Sequence, residues 1–83
     1  MNQAIQFPDR EEWNEDIKAI CFPALVNGLM VMCAISGESL LRRFDVGQPA
    51  HVSFSLHRWD LEDEAEQLIK EGLEDDQGWF WLS

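Results

Sequence analysis

The fold is decided by residues 17–35, which read IKAICFPALVNGLMVMCAI. Two apolar runs typical of β-strands flank Asn27-Gly28 in this stretch. Asn-Gly between such runs indicates a tight hairpin, because both central residues of a type I′ turn need a positive φ. If these two residues form the loop, Val26 lies opposite Leu29, and that pairing sets the register of both strands. The stretch therefore predicts a two-stranded antiparallel hairpin.

Both faces of this hairpin are apolar, which is unusual for an open antiparallel sheet. The predicted register places these residues on one face: Ile20, Phe22, Ala24, Val26, Leu29, Val31, Cys33 and Ile35. It places these on the other face: Cys21, Pro23, Leu25, Met30, Met32 and Ala34. We therefore expect a helix to cover one face, and the N-terminal segment or a second subunit to cover the other. Because proline cannot donate to a strand ladder, Pro23 predicts a bulge or an edge position.

Two short segments flank the hairpin region and predict further strands. Residues 3–7 favour a short strand before it, and residues 79–82 favour a closing strand with Trp79 and Trp81 on one face. Residues 9–16 are mostly charged, so we expect a loop or a short helical turn between the first strand and the hairpin.

The residues that follow the hairpin predict a short helix. Ser36 is a suitable N-cap, and the helix is expected to end near Phe44. Leu40, Leu41 and Phe44 are predicted to face the core. A turn is predicted at residues 45–48.

A longer helix is predicted from Pro49 to about Glu71, because proline suits the first turn of a helix. Its apolar residues recur at three- and four-residue spacing, which is typical of an amphipathic helix. They are Val52, Phe54, Leu56, Trp59, Leu61, Ala65, Leu68 and Ile69. Glu66 and Lys70 form a favourable i, i+4 pair, and Gly72 is the predicted C-cap.

Together these elements predict an α+β fold. It consists of an antiparallel sheet of three to four strands, in the order β-β-β-α-α-β, with a short and a long helix packed on it. Residues 1–83 are expected to form a single domain, since a chain of this length can bury one modest core.

The composition excludes several classes of function. The chain contains 16 acidic and 6 basic side chains, so its formal net charge is -10, and 46% of its residues are hydrophobic. That is too apolar for a disordered acidic tail. Nucleic acids and anionic membranes bind lysine and arginine, so the charge predicts neither as a partner. The longest apolar run has 7 residues, whereas a membrane helix needs about 20. With no secretion signal at the start, we expect a soluble cytoplasmic protein.

The negative charge is concentrated in the last part of the chain. Residues 60–83 contain nine acidic side chains and one basic side chain. We expect the basic residues Arg42, Arg43 and Arg58 to form ion pairs with the surplus carboxylates. The acidic segment accounts for solubility, and the alternative is that it offers an acidic face to a basic partner.

Five stretches of this sequence resemble a known family. They are MNQAIQFPDREEW (residues 1–13), CFPALVNG (21–28), CAISGESL (33–40), HRWDL (57–61) and DDQGW (75–79). As a set they are similar to the YrdB-like family of small bacterial proteins, and the resemblance covers nearly the whole chain, with departures at residues 28–32 and 45–55. The family is a domain of unknown function, so the resemblance implies a fold and a bacterial cytosolic setting, and it carries over no catalytic residues.

The two cysteines, Cys21 and Cys33, are one candidate for chemistry. A two-residue hairpin loop places Cys21 opposite Ala34 and Cys33 opposite Phe22, so the two thiols point to opposite faces and cannot form a disulfide. A three-residue loop or a bulge at Pro23 would shift the register and bring them together. We expect two reduced, buried thiols that behave as small hydrophobic groups.

A second candidate lies on the predicted long helix, where His57, Asp60 and Glu64 fall on one stripe. Such a stripe can bind a divalent ion or supply an acid/base histidine, and its ordinary interpretation is a solvated polar face. The usual zinc spacings of cysteine and histidine do not occur, and the five glycines are scattered rather than grouped in a phosphate-binding loop. The sequence therefore predicts no catalytic, cofactor-binding or metal site.

The remaining interpretation is a non-enzymatic protein–protein interaction or regulatory module with an unknown protein partner. Its predicted interaction surface consists of Trp59, Asp60, Glu62, Asp63, Glu66, Trp79 and Trp81. The surplus of apolar groups over what one thin sheet can hide also predicts a homodimer. The alternative is a small enzyme or ligand binder that uses Cys21 or Cys33, or the stripe of His57, Asp60 and Glu64.

Overall fold

The structure, a computed structural model, describes residues 4–44 and 47–83. Its elements are β1 (Ile5–Gln6), β2 (Glu12–Asn14), β3 (Ala19–Val26), β4 (Leu29–Ser36), α1 (Gly37–Arg43), α2 (Ala50–Leu56), α3 (Arg58–Glu71) and β5 (Trp79–Leu82). The α+β prediction is confirmed, with more elements than the sequence indicated. The predicted strand at residues 3–7 and the predicted turn at residues 45–48 lie partly outside the described residues.

The hairpin of β3 and β4 has the predicted register. Val26 pairs with Leu29, and the pairing continues without a bulge to Ala19 opposite Ser36. Asn27 and Gly28 both have positive φ angles, 53° and 87°, as a type I′ turn requires. The two-residue loop therefore sets which side chains of the central strands share a face.

The sheet is mixed, so the prediction of an antiparallel sheet with three to four strands was wrong in this respect. Its order is β1-β3-β4-β5, with β2 also paired to β3. The pairs β1·β3, β2·β3 and β3·β4 are antiparallel, whereas β4 and β5 are parallel. The physical reason is the connection: three helices lie between β4 and β5, and a crossover of that length returns the chain to the end of the sheet from which β4 started.

The segment predicted as a loop or helical turn, residues 9–16, instead contributes β2. Its residues pair with the first part of β3, from Ala19 to Cys21, while β1 pairs with the last part. Pro23 lies in a regular strand opposite the gap between β1 and β2. The predicted bulge is therefore wrong, and the alternative prediction of an edge position holds locally, because Pro23 has a partner strand on one side only. Counting from the hairpin loop, the residue pairs of β3 and β4 alternate between hydrogen-bonded and non-hydrogen-bonded pairs. The nitrogen of Pro23 therefore points to the gap between β1 and β2, where no neighbouring strand needs a hydrogen-bond donor.

The helical region differs from the prediction at His57, where the expected long helix breaks into α2 and α3. His57 has φ -118° and ψ 21° and serves as both the C-cap of α2 and the N-cap of α3. Its ring stacks on Phe44 with centroids 3.6 Å apart, and its Nδ1 lies 2.9 Å from the main-chain oxygen of Ser53. These contacts fix His57 in a non-helical conformation at a position where one continuous helix was predicted.

The predicted helix ends are otherwise confirmed. The hydroxyl of Ser36 accepts a hydrogen bond from the N–H of Ser39 at the start of α1. Gly72 ends α3 with a left-handed conformation, φ 67° and ψ 39°. The pair of Lys70 and Glu66 is also present, with 3.5 Å between Nζ and Oε2.

The core lies between the helices and one face of the sheet. Its buried residues are Ile20, Phe22, Ala24, Cys33, Ile35, Leu40, Phe54, Leu61, Ala65, Ile69, Phe80 and Leu82. Leu41, which was predicted to face the core, is exposed instead. Leu56 and Trp59, two apolar residues of the predicted long helix, are also exposed and lie on either side of the break at His57.

The opposite face of the sheet has a smaller cluster, made of Ala19, Cys21 and Ala34 with Met32 and Trp79 packed against it. Each member of this cluster belongs to a strand, so within the described ranges no helix packs there. Residues 4–44 and 47–83 also contain no helix that is long and apolar enough to cross a membrane.

Candidate functional site

The structure does not favour the cysteines as a chemical site. Cys21 pairs with Ala34 and Cys33 with Phe22, so the two thiols lie on opposite faces of the sheet. Both are free and buried. Burial raises the pKa of Cys33 to about 12, and burial followed by the charge of Glu12 raises the pKa of Cys21. Since the thiolate is the reactive form, neither residue is set up as a nucleophile.

The stripe of His57, Asp60 and Glu64 is also not assembled into a site. Glu64 instead forms an ion pair with Arg43, whose Nη1 lies 3.1 Å from Oε1 of the carboxylate. The ring of His57 is occupied by its stack on Phe44. In the described part of the chain, no group of three or more His, Cys, Asp and Glu side chains is placed to hold a metal ion.

A pair of exposed apolar side chains lies at the break between α2 and α3. The side chain of Trp59 is 82% exposed and that of Leu56 is 66% exposed. We call these two residues the tryptophan knob. An open groove of about 450 Å³ lies beside it and is lined by residues 55–60. A large aromatic residue at this exposure is uncommon unless it has a binding role, because tryptophan is usually well buried.

The contacts of Arg58 anchor the start of α3, which carries the tryptophan knob. The Nη1 of Arg58 donates to Glu11 and lies 3.2 Å from Oδ1 of Asp9, and its Nε donates to Oε2 of Glu62 at 2.9 Å. Its Nη2 donates to the main-chain oxygen of Pro8 at 3.2 Å. The hydrogen bond from Arg58 holds the pKa of Glu11 below its usual value of 4.5. These contacts attach the N-terminal segment to the start of α3, next to Trp59.

The predicted acidic residues of α3 have different roles in the structure. Asp60 and Asp63 are exposed and lie beside the knob. Glu62 is half-buried and paired with Arg58, and Glu66 is paired with Lys70. Asp60 and Asp63 are therefore the free acidic groups next to Trp59, since the other two predicted carboxylates are partly neutralised.

The other two predicted aromatic residues, Trp79 and Trp81, lie on β5. Their rings stack with centroids 6.3 Å apart, on the face of the sheet that no helix covers. The carboxylate of Asp75 accepts hydrogen bonds from the N–H of Trp79 at 2.9 Å and from the indole N–H of Trp81 at 3.0 Å. Donation by Trp79, with weaker contributions from Gln77 and Trp81, holds the pKa of Asp75 below its usual value of 3.8.

The predicted surface is thus divided between two layers of the molecule. Trp59 and the acidic residues belong to the helical layer, while Trp79 and Trp81 belong to the open face of the sheet. Met30 and Leu56 are exposed beside these residues and were missing from the predicted surface. The strict alternation of the hairpin could have identified Met30, whereas no sequence signal indicated that the helix breaks and exposes Leu56.

Arg43 and Arg58 form the predicted ion pairs with carboxylates, whereas Arg42 contacts a hydroxyl instead. Arg43 pairs with Glu64 and also donates to the main-chain oxygen of Ser83 at 3.0 Å, and Arg58 pairs with three carboxylates. Arg42 is 3.4 Å from the hydroxyl of Ser39. Two of the three arginines are therefore used within the fold, and none forms part of a basic patch.

Comparisons with known proteins agree on the family. The sequence model of the family described as "Protein of unknown function (DUF1488)" matches residues 5–82. Two curated relatives are each called "Uncharacterized protein YrdB". The protein from Escherichia coli (strain K12) is 67% identical to this chain and the protein from Shigella flexneri is 66% identical, with 99% of both chains covered in each comparison. A crystal structure of a protein of unknown function from the DUF1488 family of Shewanella loihica PV-4 is 30% identical. It superposes with a TM-score of 0.89 over 99% of this chain and 94% of that chain. The similarity inferred from the five sequence stretches is confirmed.

Proposed function

This chain belongs to the DUF1488 family of proteins of unknown function, and we propose that it is a non-enzymatic interaction module that binds a basic protein partner. The binding surface is the tryptophan knob, Leu56 and Trp59, together with the neighbouring carboxylates of Asp60 and Asp63. The partner offers an apolar pocket for the indole and basic side chains around it.

The observation that carries this proposal is the exposure of Trp59, at 82% of its side chain. Interfaces concentrate their binding energy in a few aromatic and arginine residues that fill a pocket on the partner. An exposed tryptophan also holds apolar surface in contact with water, which costs the free protein about 25 cal/mol for each Å². A binding partner removes that cost.

The rigidity of the knob supports the same proposal. Arg58 is fixed by Glu11, Glu62 and the main chain of Pro8, and Trp59 follows it directly in α3. Because these contacts fix the start of α3, the main chain that carries Trp59 loses less conformational entropy on binding. The tryptophan is therefore presented on a preorganised helix start rather than on a flexible loop.

The surrounding charge defines the kind of partner. Asp60 and Asp63 flank the knob, and residues 60–83 contain nine acidic side chains and one basic side chain. Such a surface accelerates association with a basic partner and repels acidic ones. Nucleic acids and anionic membranes are polyanions, so the proposal assigns neither to this surface. It places the module in the cytoplasm, where the two free cysteines stay reduced.

The test is affinity capture from a bacterial lysate with three versions of the tagged protein, each at low and high salt. Trp59→Ala removes the anchor, and Asp60→Asn with Asp63→Asn removes the neighbouring charge. Leu41→Ala is the matched control, because Leu41 is an exposed apolar residue on a different helix. Each variant is first checked for an unchanged melting temperature, which the exposure of these side chains predicts.

The proposal requires a basic protein that the wild type and Leu41→Ala retain. Trp59→Ala should reduce its capture at least about tenfold, since a hot-spot residue contributes about 2 kcal/mol or more. The double asparagine variant should bind more weakly and lose its salt dependence. Equal capture by the wild type and Trp59→Ala, or no retained protein at either salt concentration, contradicts the proposal.

A further inference from the structure

The face of the sheet away from the helices is almost free of charge. We call it the open sheet face. Its strand residues, taken from the pairing, are Gln6, Glu12, Asn14, Ala19, Cys21, Pro23, Leu25, Met30, Met32, Ala34, Ser36, Trp79 and Trp81. Glu12, on β2 at the edge of the sheet, is the one charged strand residue among them. The carboxylate of Asp75, in the loop before β5, also lies at this face, where it accepts a hydrogen bond from the indole N–H of Trp81. In a chain with a net charge of -10, such a face is unusual.

Large apolar side chains of the open sheet face are in contact with solvent. Met30 is 66% exposed and Trp81 is 38% exposed, while Leu25, Met32 and Trp79 are half-buried. The N-terminal segment does not cover them, because β1 and β2 lie beside β3 in the plane of the sheet. Of the two covers expected from the sequence, the N-terminal segment is therefore excluded for the described residues, and a second subunit remains.

We infer that the open sheet face binds a second copy of this chain and that the protein is a face-to-face homodimer. Two sheets pack stably when their inner faces are apolar and lie about 10 Å apart. A twofold axis brings the same apolar patch of each copy into contact. The apolar residues of β3 and β4 then meet the same residues of the second copy, while the carboxylates of Glu12 and Asp75 lie beside the edge strands β2 and β5.

The size of the face agrees with this occupant. β3 and β4 have eight residues each, β5 has four, and β1 and β2 have two and three, so at about 3.3 Å along a strand and about 4.8 Å between strands the sheet covers about 400 Å² for each copy. Two copies then hide about 800 Å² in total, which is the size of a weak and reversible interface. We therefore expect a dimer with a dissociation constant in the micromolar range.

The charge distribution favours the same arrangement. The exposed acidic residues Asp60 and Asp63 belong to α3, which packs on the other side of the sheet. Face-to-face contact of the sheets places the two acidic helical layers on the outside of the dimer. The negative charges of the two copies still repel each other across the interface. Added salt screens this repulsion, because the Debye length falls from about 10 Å at 0.1 M to about 3 Å at 1 M. We therefore expect salt to strengthen the dimer.

The test is analytical ultracentrifugation of the full chain, from about 1 µM to about 200 µM, a range that spans the affinity expected for a small interface. The wild type should change from monomer to dimer within this range. Met30→Glu and Met30→Lys introduce charges of opposite sign at the open sheet face, and both should weaken the dimer at least about tenfold. Both a negative and a positive charge are tested, because the introduced lysine could form an ion pair with Glu12.

Leu29→Glu is the matched control. Leu29 precedes Met30 in β4, is 74% exposed, and points to the other face of the sheet. It should leave the dimer intact, and circular dichroism should show that all three variants are folded. A wild type that stays monomeric at the highest concentration overturns the inference, and so does a dimer that Met30→Glu and Met30→Lys leave unchanged.

The inference and the proposed function can fail separately. Trp59→Ala should keep the dimer and lose the basic partner, whereas Met30→Glu should lose the dimer and keep a partner bound through Trp59. Salt also acts in opposite directions, since it should strengthen the dimer and weaken binding of the acidic surface to a basic protein.

Discussion

At the scale of single residues, Arg58 connects parts of the chain that are distant in sequence. It binds Glu11, which is 47 positions away, and Glu62, which is one turn along the same helix. Its guanidinium also lies 5.5 Å from the centre of the Phe54 ring, at the edge of the core. The composition alone predicted that this arginine would be paired, because carboxylates are in large excess. It could not identify Glu11 as the partner, since nothing in the local sequence brings β2 to the start of α3.

Glu11→Gln tests the contribution of this contact to stability. Glu11 has a lowered pKa in the folded protein, so it contributes stability above its unfolded pKa of about 4.3. That contribution is lost as the pH falls through the folded value. At pH 7 we expect Glu11→Gln to lower the free energy of unfolding by about 1.5 kcal/mol, the low end of the about 1.5–3 kcal/mol that hydrogen bonds to charged groups contribute, because solvent screens a partly exposed carboxylate. Urea unfolding between pH 7 and pH 3 should show the difference from the wild type shrinking at the acidic end.

The control for this experiment is Glu12→Gln. It makes the same chemical change at the next residue, which is exposed and points away from Arg58. It should change stability by less than about 0.5 kcal/mol, as is usual for surface substitutions. A difference between Glu11→Gln and the wild type that stays constant down to pH 3 would contradict the assigned role of the carboxylate.

At the scale of elements, short sequence motifs correctly predicted the features that depend on neighbouring residues only, namely a turn and the ends of helices. The Asn27-Gly28 turn set the register of β3 and β4, and Ser36 and Gly72 marked the ends of helices. The direction of β5 and the break at His57 depend on tertiary contacts, and the sequence pattern did not reveal them. A four-residue strand has the same alternation in either direction. The apolar spacing across residues 50–71 fits one helix as well as two.

The same division holds for the candidate site. Trp79 and Trp81 were correctly placed on one face from strand alternation. Trp59 was assigned both to the core and to the interaction surface, because an apolar residue at helical spacing serves either purpose. In the structure Trp59 is exposed and lies next to the break at His57. The sequence therefore predicted Trp59 and its neighbouring carboxylates as a candidate surface, but it predicted neither the exposure of Leu56 nor the division of the surface between two layers.

Gly28→Ala tests the turn that determines the sheet. Gly28 has a φ of 87°, and a Cβ added there would meet nothing within 4 Å. Any loss of stability therefore comes from the backbone conformation rather than from a clash. We expect a decrease of about 1–2 kcal/mol, the cost of a left-handed conformation for a residue with a Cβ. Thermal unfolding followed by circular dichroism measures it.

Asn27→Asp is the control at the neighbouring position of the turn. Aspartate tolerates a positive φ nearly as well as asparagine. Its carboxylate can still accept the hydrogen bond that the N–H of Ala4 donates to Oδ1 of Asn27. A loss for Asn27→Asp as large as that for Gly28→Ala would show that backbone strain is not the cause.

At the scale of the whole molecule, charge and apolar surface are separated onto opposite layers. The helical layer carries the exposed carboxylates and the tryptophan knob, and the open sheet face carries almost no charge. The ion pair of Arg58 and Glu11 joins the helical layer to the segment before β2, and the ion pair of Arg43 and Glu64 joins α1 to α3 within the helical layer. Such a molecule can use both surfaces at once, with a second copy on one side and a basic partner on the other.

The excess of negative charge should also govern stability, which is the last prediction. The chain has 16 acidic and 6 basic side chains within a radius of gyration of 12.3 Å. Salt screens both the repulsion among carboxylates and the attraction in the ion pairs, so the sign of its effect shows which is larger. Exposed pairs such as Lys18–Glu15 contribute little to stability because water and salt screen them, whereas most carboxylates have no cation to pair with. We therefore expect sodium chloride to raise the melting temperature by about 4 °C up to about 0.3 M, a shift equivalent to about 1 kcal/mol for a chain of this size. The increase should level off above that concentration, where the Debye length is shorter than the spacing of surface charges. A melting temperature that falls with added salt would mean that the ion pairs of Arg43 and Arg58 outweigh the repulsion.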